Sequence, residues 1–320
     1  MELNNIKEAR NRIKDHVKYT DLRLSPYFST LTKGQVFLKL ENQQVTHAFK
    51  IRGALNKLKL MRSECGTIIT ASSGNHGQAV AKAAQEMGLS AEIIVPERTP
   101  NKKKKLIQKY GAHLTIYGQS VDQAELLGRK KAKAEQKQYI SPYNDTDIIA
   151  GQGTIGLEIK EQNPKINTVL VPIGGGGLIS GIAVALKYSA SPVQVIGIQA
   201  NNDAAMYHSL QRDQIVHSDQ YPHQTTIADG LAGGIEPEAI TFSLIHQLVD
   251  EVILVREKSI KKAIQFLWEK ENLIAEGAGV VGLAALLENP TKFSQQEIAI
   301  VISGGNIDRD IWENIIKKQN

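Results

Sequence analysis

Lys50 is the side chain best placed for nucleophilic chemistry. Val36, Phe37, Leu38 and Leu40 are β-formers, residues 42–46 break that pattern, and from Phe49 onward Ile51, Leu55 and Leu58 recur at helical spacing. Lys50 therefore opens a helix behind a polar loop. The positive helix end and the neighbouring Arg52 would disfavour its charged form. That is the condition under which a lysine serves as an amine nucleophile or Schiff-base partner. On this segment alone, a solvated lysine at a helix start is the better reading.

Gly174, Gly175, Gly176 and Gly177 form the second feature, between the apolar run 168–173 and a helix beginning at Leu178. Bare main-chain amides in such a loop can wrap a phosphate. Spacing excludes a dinucleotide: no G-x-G-x-x-G fits, and no acidic residue between Leu178 and Asp203 could hold a ribose. No Gly-Lys-Ser/Thr follows, so a nucleotide P-loop is excluded too. A phosphate without a nucleotide remains.

Ser72, Ser73, Gly74, Asn75, His76 and Gly77 join a short strand to a helix running to Met87. Amides at that helix start suit a carboxylate. His76 alone is an ordinary packed or exposed histidine. Ser303 ends a buried strand in VISGGN, where most serines satisfy their own turn, and Phe49 by itself is a core aromatic.

The stretch 37–56, FLKLENQQVTHAFKIRGALN, resembles the cofactor-lysine segment of pyridoxal-phosphate enzymes of the threonine dehydratase and serine racemase group. Their pattern is K-x-E-N-x-Q-x-T-G-S-F-K-x-R-G-A-x-N. Lys39, Glu41, Asn42, Gln44, Thr46, Phe49, Lys50, Arg52, Gly53, Ala54 and Asn56 fall in place; His47 and Ala48 replace its Gly-Ser. The segment 149–159, IAGQGTIGLEI, is similar to catabolic threonine dehydratases, and the motifs keep family order from about Thr20 to Asn306.

The resemblance implies a fold-type II enzyme with pyridoxal 5'-phosphate as cofactor. Lys50 would hold it covalently and, once released by the incoming amino acid, remove the α-proton. The glycine loop and Leu178 would take the phosphate, Asn75 the ring hydroxyl, Ser303 the ring nitrogen, and Phe49 would pack on the ring. The turn from Ser72 to His76 would take the substrate carboxylate. Ser73 matches the serine that acts opposite the lysine in racemases. The implied reaction converts L-threonine or L-serine to a 2-oxo acid and ammonia. Serine racemase and hydroxyaspartate ammonia-lyase are the alternatives within the group, and a catalytically silent phosphate-ligand binder is the alternative outside it. Sulfhydrylases of the same fold carry a different lysine motif. Racemase-like relatives bind a divalent cation through a Glu and an Asp where Gln199 and Ala205 stand here, so no metal is expected. Only residues 307–320 follow the last motif, so feedback through an appended regulatory domain is not expected.

Strands alternating with helices throughout predict an α/β chain with mostly parallel sheets. A large domain would combine residues 1–66 and 145–320, and a smaller one, 67–144, would close over the substrate. A helix is expected over 6–17, and another starting at Pro100 with Thr99 as its cap. The run 102–105 of lysines reads as a solvated helix face. Composition fits a globular protein: 42% hydrophobic and 22% charged residues. A net charge of +5 suits anionic ligands, while 5% aromatics without an RNA-binding signature disfavours nucleic acid. No apolar run approaches the ~20 residues of a membrane span. The start of the chain is charged and amphipathic, unlike a secretory signal, and Cys65 is the only cysteine. A cytoplasmic homodimer or homotetramer acting on a small amino acid is the expectation.

Overall fold

Among the described residues, the apolar runs between turns become ten strands in two separate sheets. A computed structural model describes residues 1–61, 66–188 and 193–317; Cys65 lies outside them. The strands are β1 (Leu22–Leu24), β2 (Gln35–Lys39), β3 (Thr67–Ala71), β4 (Ser90–Val95), β5 (His113–Ile116), β6 (Gln138–Tyr139), β7 (Thr168–Pro172), β8 (Gln194–Ala200), β9 (Glu251–Val255) and β10 (Glu297–Val301). One sheet has the order β1-β2-β10-β7-β8-β9, the other β5-β4-β3-β6. Every pairing is parallel except β1 with β2. Thus the expected α/β class, with two mostly parallel sheets, is what forms. β7 is buried at every position, as a continuous apolar run in a doubly covered sheet should be.

The helix Thr146–Gln162 is the hub that positions the chemistry. It crosses Lys50–Leu60 on one side and Gly177–Lys187 on the other, and glycines make both crossings possible. A Cβ on Gly151 would lie 2.6 Å from the Cα of Gly53, and one on Gly181 2.9 Å from the Cα of Gly153. IAGQGTIG is therefore a close-packing surface that holds the lysine helix and the glycine-loop helix against one rod.

Some boundaries differ from expectation. The first helix is Leu3–Ile13. Val17 continues its apolar spacing only through a turn, its amide bonded to the Ile13 carbonyl at 3.2 Å. Pro100 is the cap, with ψ 142°, and its helix is Asn101–Gln108; the fixed φ of proline serves either position. Pro26–Thr32, Ala205–Gln211 and Ile240–Leu248 are further helices too short for a decisive period, and β1 and β6 are too short to show alternation.

Candidate active site

Three of the sequence motifs end up at the carboxyl end of a strand. Ser72 follows β3, Gly174 follows β7, and Ser303 follows β10, which is where open parallel sheets bind ligands. The amide of Phe49 donates to the Ser303 carbonyl at 3.1 Å and so ties the start of the lysine helix to the end of β10.

Lys50 is half-buried, its Nζ donating to the Pro142 carbonyl at 2.8 Å and lying 5.2 Å from the centre of the Phe49 ring. Burial lowers its pKa to about 8. The expected help from Arg52 is absent. Residues two apart on a helix do not face each other, and Arg52 turns away into a buried ion network. Its guanidinium donates to both oxygens of Glu41 at 2.8 Å and to Glu158 at 2.6 and 3.0 Å. Lys39, fully buried, joins the same network, donating to Glu158 at 2.6 Å, the Thr20 carbonyl at 2.7 Å and Gln162 at 2.9 Å. Three residues of the lysine motif, Lys39, Glu41 and Arg52, are thus architecture behind the site.

In the glycine loop, Gly176 has φ +89°, a left-handed conformation natural to glycine. A Cβ on Gly175 would sit 2.3 Å from the Tyr143 ring, so the loop lies flat on an aromatic side chain that sequence reasoning missed. The amides of Gly174, Gly175, Gly176 and Gly177 have no protein acceptor among the described residues. Leu178 is in the first turn of the helix that follows.

Across from the loop, the helix Asn75–Met87 opens with Gly74 as its cap. The Ser72 hydroxyl accepts the Gly74 amide at 3.2 Å, while the Ser73 hydroxyl has no hydrogen-bond partner among the described residues. His76 does not enter the turn with its ring. It is buried against the Ile140 carbonyl at 3.1 Å, and burial with the nearby Lys50 charge lowers its pKa to about 3. Any substrate contact from this residue therefore comes from its main chain.

Glu276, missed in sequence as more than a helix lead-in, accepts Asn75 Nδ2 at 2.6 Å. Burial, and then the Asp229 carboxylate, raise its pKa to about 7. Its only sequence signal is an acid preceding Gly-Ala-Gly beside apolar runs. At the place compared with a cation site, Gln199 accepts the Tyr207 amide at 2.8 Å; Asp203 accepts the Tyr221 hydroxyl and the Gly233 amide, each at 2.9 Å. Both side chains are committed to structure.

The chain has relatives among known proteins. The family model for pyridoxal-phosphate dependent enzyme matches residues 13–304. An L-threonine ammonia-lyase of Thermotoga maritima is 42% identical over 318 residues, covering 99% of this chain and 78% of that protein. A catabolic L-threonine dehydratase of Staphylococcus aureus is 40% identical, covering 96% and 90%. Among solved structures, maize serine racemase superposes with a TM-score of 0.90 at 33% identity, covering 99% of this chain and 97% of that one. The processed form of threonine deaminase isoform 2 from Solanum lycopersicum gives 0.92 at 31% identity, covering 99% and 87%. With its lysine, glycine loop and strand-end serine in one place, the chain belongs to the family of pyridoxal-phosphate-dependent enzymes.

Proposed function

We propose that this protein is an ammonia-lyase that converts L-threonine to 2-oxobutyrate and ammonia, and L-serine to pyruvate and ammonia. The observation that carries this reading is Lys50, an amine with no carboxylate partner among the described residues. It is bonded to Pro142, next to the Tyr143 that packs on the glycine loop, and is close enough to the 72–76 turn for its charge to act on His76. The relatives named for threonine support the substrate class.

The residues fit the cofactor. The unpartnered amides of the glycine loop and of Leu178 would hold its phosphate, Asn75 its ring hydroxyl, Ser303 its ring nitrogen, and Phe49 would pack on its face. When bound, it supplies the electron sink that makes the substrate's α-hydrogen acidic. Ser303 offers a hydroxyl instead of a carboxylate, a weaker sink that favours β-elimination over transamination. Turn 72–76 orients the substrate carboxylate through main-chain amides and the serine hydroxyls. Lys50 then takes the α-proton, and its lowered pKa makes it a competent base near neutrality. Closure of residues 67–144 over the large domain would exclude water. Salt bridges join the two sides, Lys103 to Asp229 at 3.1 Å and Arg129 to Glu236 at 2.7 Å.

A serine-racemase side activity is the second reading, favoured by the partner-free Ser73 hydroxyl, because racemisation needs a proton donor on each face. We also infer a cytoplasmic homo-oligomer; no described helix is long and apolar enough to cross a membrane. The test is to incubate the holoenzyme with a panel of β-hydroxy amino acids and measure 2-oxo acid. L-Threonine and L-serine should yield 2-oxobutyrate and pyruvate. No 2-oxo acid from either would overturn the proposal.

A further inference from the structure

Asn75 sits in a chain of hydrogen bonds whose polarity is set at one end. The Thr46 carbonyl can only accept, and it accepts from Asn306 Nδ2 at 2.9 Å. That contact fixes which end of the Asn306 amide faces inward. The second hydrogen of the same Nδ2 goes to Asn75 Oδ1 at 2.8 Å. Asn75 must therefore turn its own Nδ2 the other way, where one hydrogen reaches Glu276 Oε1 at 2.6 Å. Glu276 accepts there whether or not it carries a proton. One N–H of Asn75 is left over, and it is a donor.

The packing around this chain leaves it little freedom. A Cβ on Gly304 would lie 2.2 Å from Glu276 Oε1 and 3.1 Å from Asn75 Nδ2, so only a bare backbone fits beside the pair. Asn306 and Gly304 belong to the same strand-end turn as Ser303, and the Glu276 amide bonds to the Gly304 carbonyl at 3.1 Å. The turn that carries Ser303 thus also carries the contacts that orient Asn75.

We propose that Asn306 and Glu276 are positioning residues that hold Asn75 as a hydrogen-bond donor toward the cofactor's ring hydroxyl oxygen. This rests on the reading that Asn75 meets that oxygen. A donor there favours the oxygen's anionic form. An inverted Asn75, with Oδ1 facing the ring, would instead favour the protonated oxygen and change the cofactor's absorption.

Asn306→Asp tests the idea, because it replaces the donor with an acceptor of the same shape facing two acceptors. The readouts are the visible spectrum of the bound cofactor and its dissociation constant, with folding checked by thermal melting. We expect a displaced absorption band and cofactor binding weakened about tenfold, the size of one lost hydrogen bond. Asn306→Ala, which adds no charge, should shift both in the same direction by less. Glu276→Leu should resemble Asn306→Asp, whereas Glu276→Gln, still able to accept, should restore the wild-type band and bind within about threefold. Wild-type spectrum and affinity in folded Asn306→Asp and Asn306→Ala would overturn the proposal. Asn75→Ala separates the two layers. If it too is spectrally silent, the Asn75 contact itself is wrong; if it alone shifts the band, only the positioning role fails.

Discussion

Two lysines of one motif, eleven residues apart, meet opposite fates. Lys39 is fully buried and surrounded by oxygen: a carboxylate, a carbonyl and an amide. Burial lowers its pKa, but Glu158 and Glu41 work against that shift. Lys50 is less enclosed, and among the described residues its one hydrogen-bond acceptor is the Pro142 carbonyl; burial lowers its pKa with no carboxylate working against that shift. Pairing makes a lysine structural, whereas burial without an anion is the condition that would suit Lys50 to the nucleophilic role proposed for it.

The largest test of that contrast exchanges one lysine at a time. Lys50→Ala should lower turnover by about 10^4-fold, at the upper end of a lost acid–base group. Borohydride should fix the cofactor on the peptide containing Lys50 in the wild type. Lys39→Ala should keep that label. A label on any other lysine, or a Lys50→Ala enzyme at wild-type rate, would end the distinction.

Lys39→Ala should show its effect in stability instead. Removing it leaves Glu41 and Glu158 sharing the single charge of Arg52 in the interior, and breaking a buried pair costs about 3–5 kcal/mol. Urea unfolding monitored by circular dichroism reads this; a change below about 1 kcal/mol, the scale of a surface pair, would mean the network is exchangeable.

The lysine motif was readable in the sequence, but its division of labour was not. Lys39, Glu41 and Arg52 gain their role from Glu158, which lies 119 positions after Lys39 and belongs to another helix. Arg52 looked like a neighbour of Lys50 because it is near in sequence, and the helix turned it away. The α/β class followed from apolar runs of ordinary length, whereas the strand order, which sets β10 between β2 and β7, depends on pairings between segments remote in sequence. Tyr143 escaped notice because its role lies in a shape match with Gly175, and shape is not written in residue type. Glu276 and Asn306 stood in recognised turns, yet their bonding partners come from remote segments.

A pH series sharpens the same contrast. Lys50 has a folded-state pKa lowered to about 8, so its neutral fraction grows about tenfold per pH unit below that point and then levels. Capture of pyridoxal phosphate by the cofactor-free protein, trapped with borohydride, should follow that curve. The sign for stability is the reverse of an ion pair's: burying the charged amine costs stability below about pH 8, and the cost fades as pH rises toward the ordinary lysine value. A capture rate flat from pH 6 to 8 would refute the unpaired amine.

Ser73 tests whether Lys50 works with a counterpart. Ser73→Ala should abolish any D-serine formed from L-serine while keeping dehydration of L-threonine within about tenfold, since elimination needs only one proton-transfer face. Chiral chromatography decides it; D-serine formation that survives the substitution would remove Ser73 from the chemistry.

The smallest effect belongs to His47, which lies between the two lysines and where the family pattern has glycine. It has φ 56°, in the left-handed region, and its side chain is exposed. What the site needs here is main chain: the His47 carbonyl accepts the Gly305 amide at 2.8 Å, and its amide donates to the Gln44 carbonyl at 2.7 Å. The next residue, Ala48, bridges to Gly304. The loop thus holds the strand-end turn to the lysine helix whatever side chain occupies position 47. His47→Gly relieves about 1 kcal/mol of left-handed strain but gives back most of it in unfolded-state entropy, so stability should change by less than about 1 kcal/mol. His47→Val, β-branched at the same φ, should cost about 2 kcal/mol. Neither should alter the borohydride label on Lys50. Parallel urea curves for the two variants check this. A glycine variant that lost several kcal/mol would show that the imidazole itself contributes, and that the loop, like Lys39, depends on its side chain.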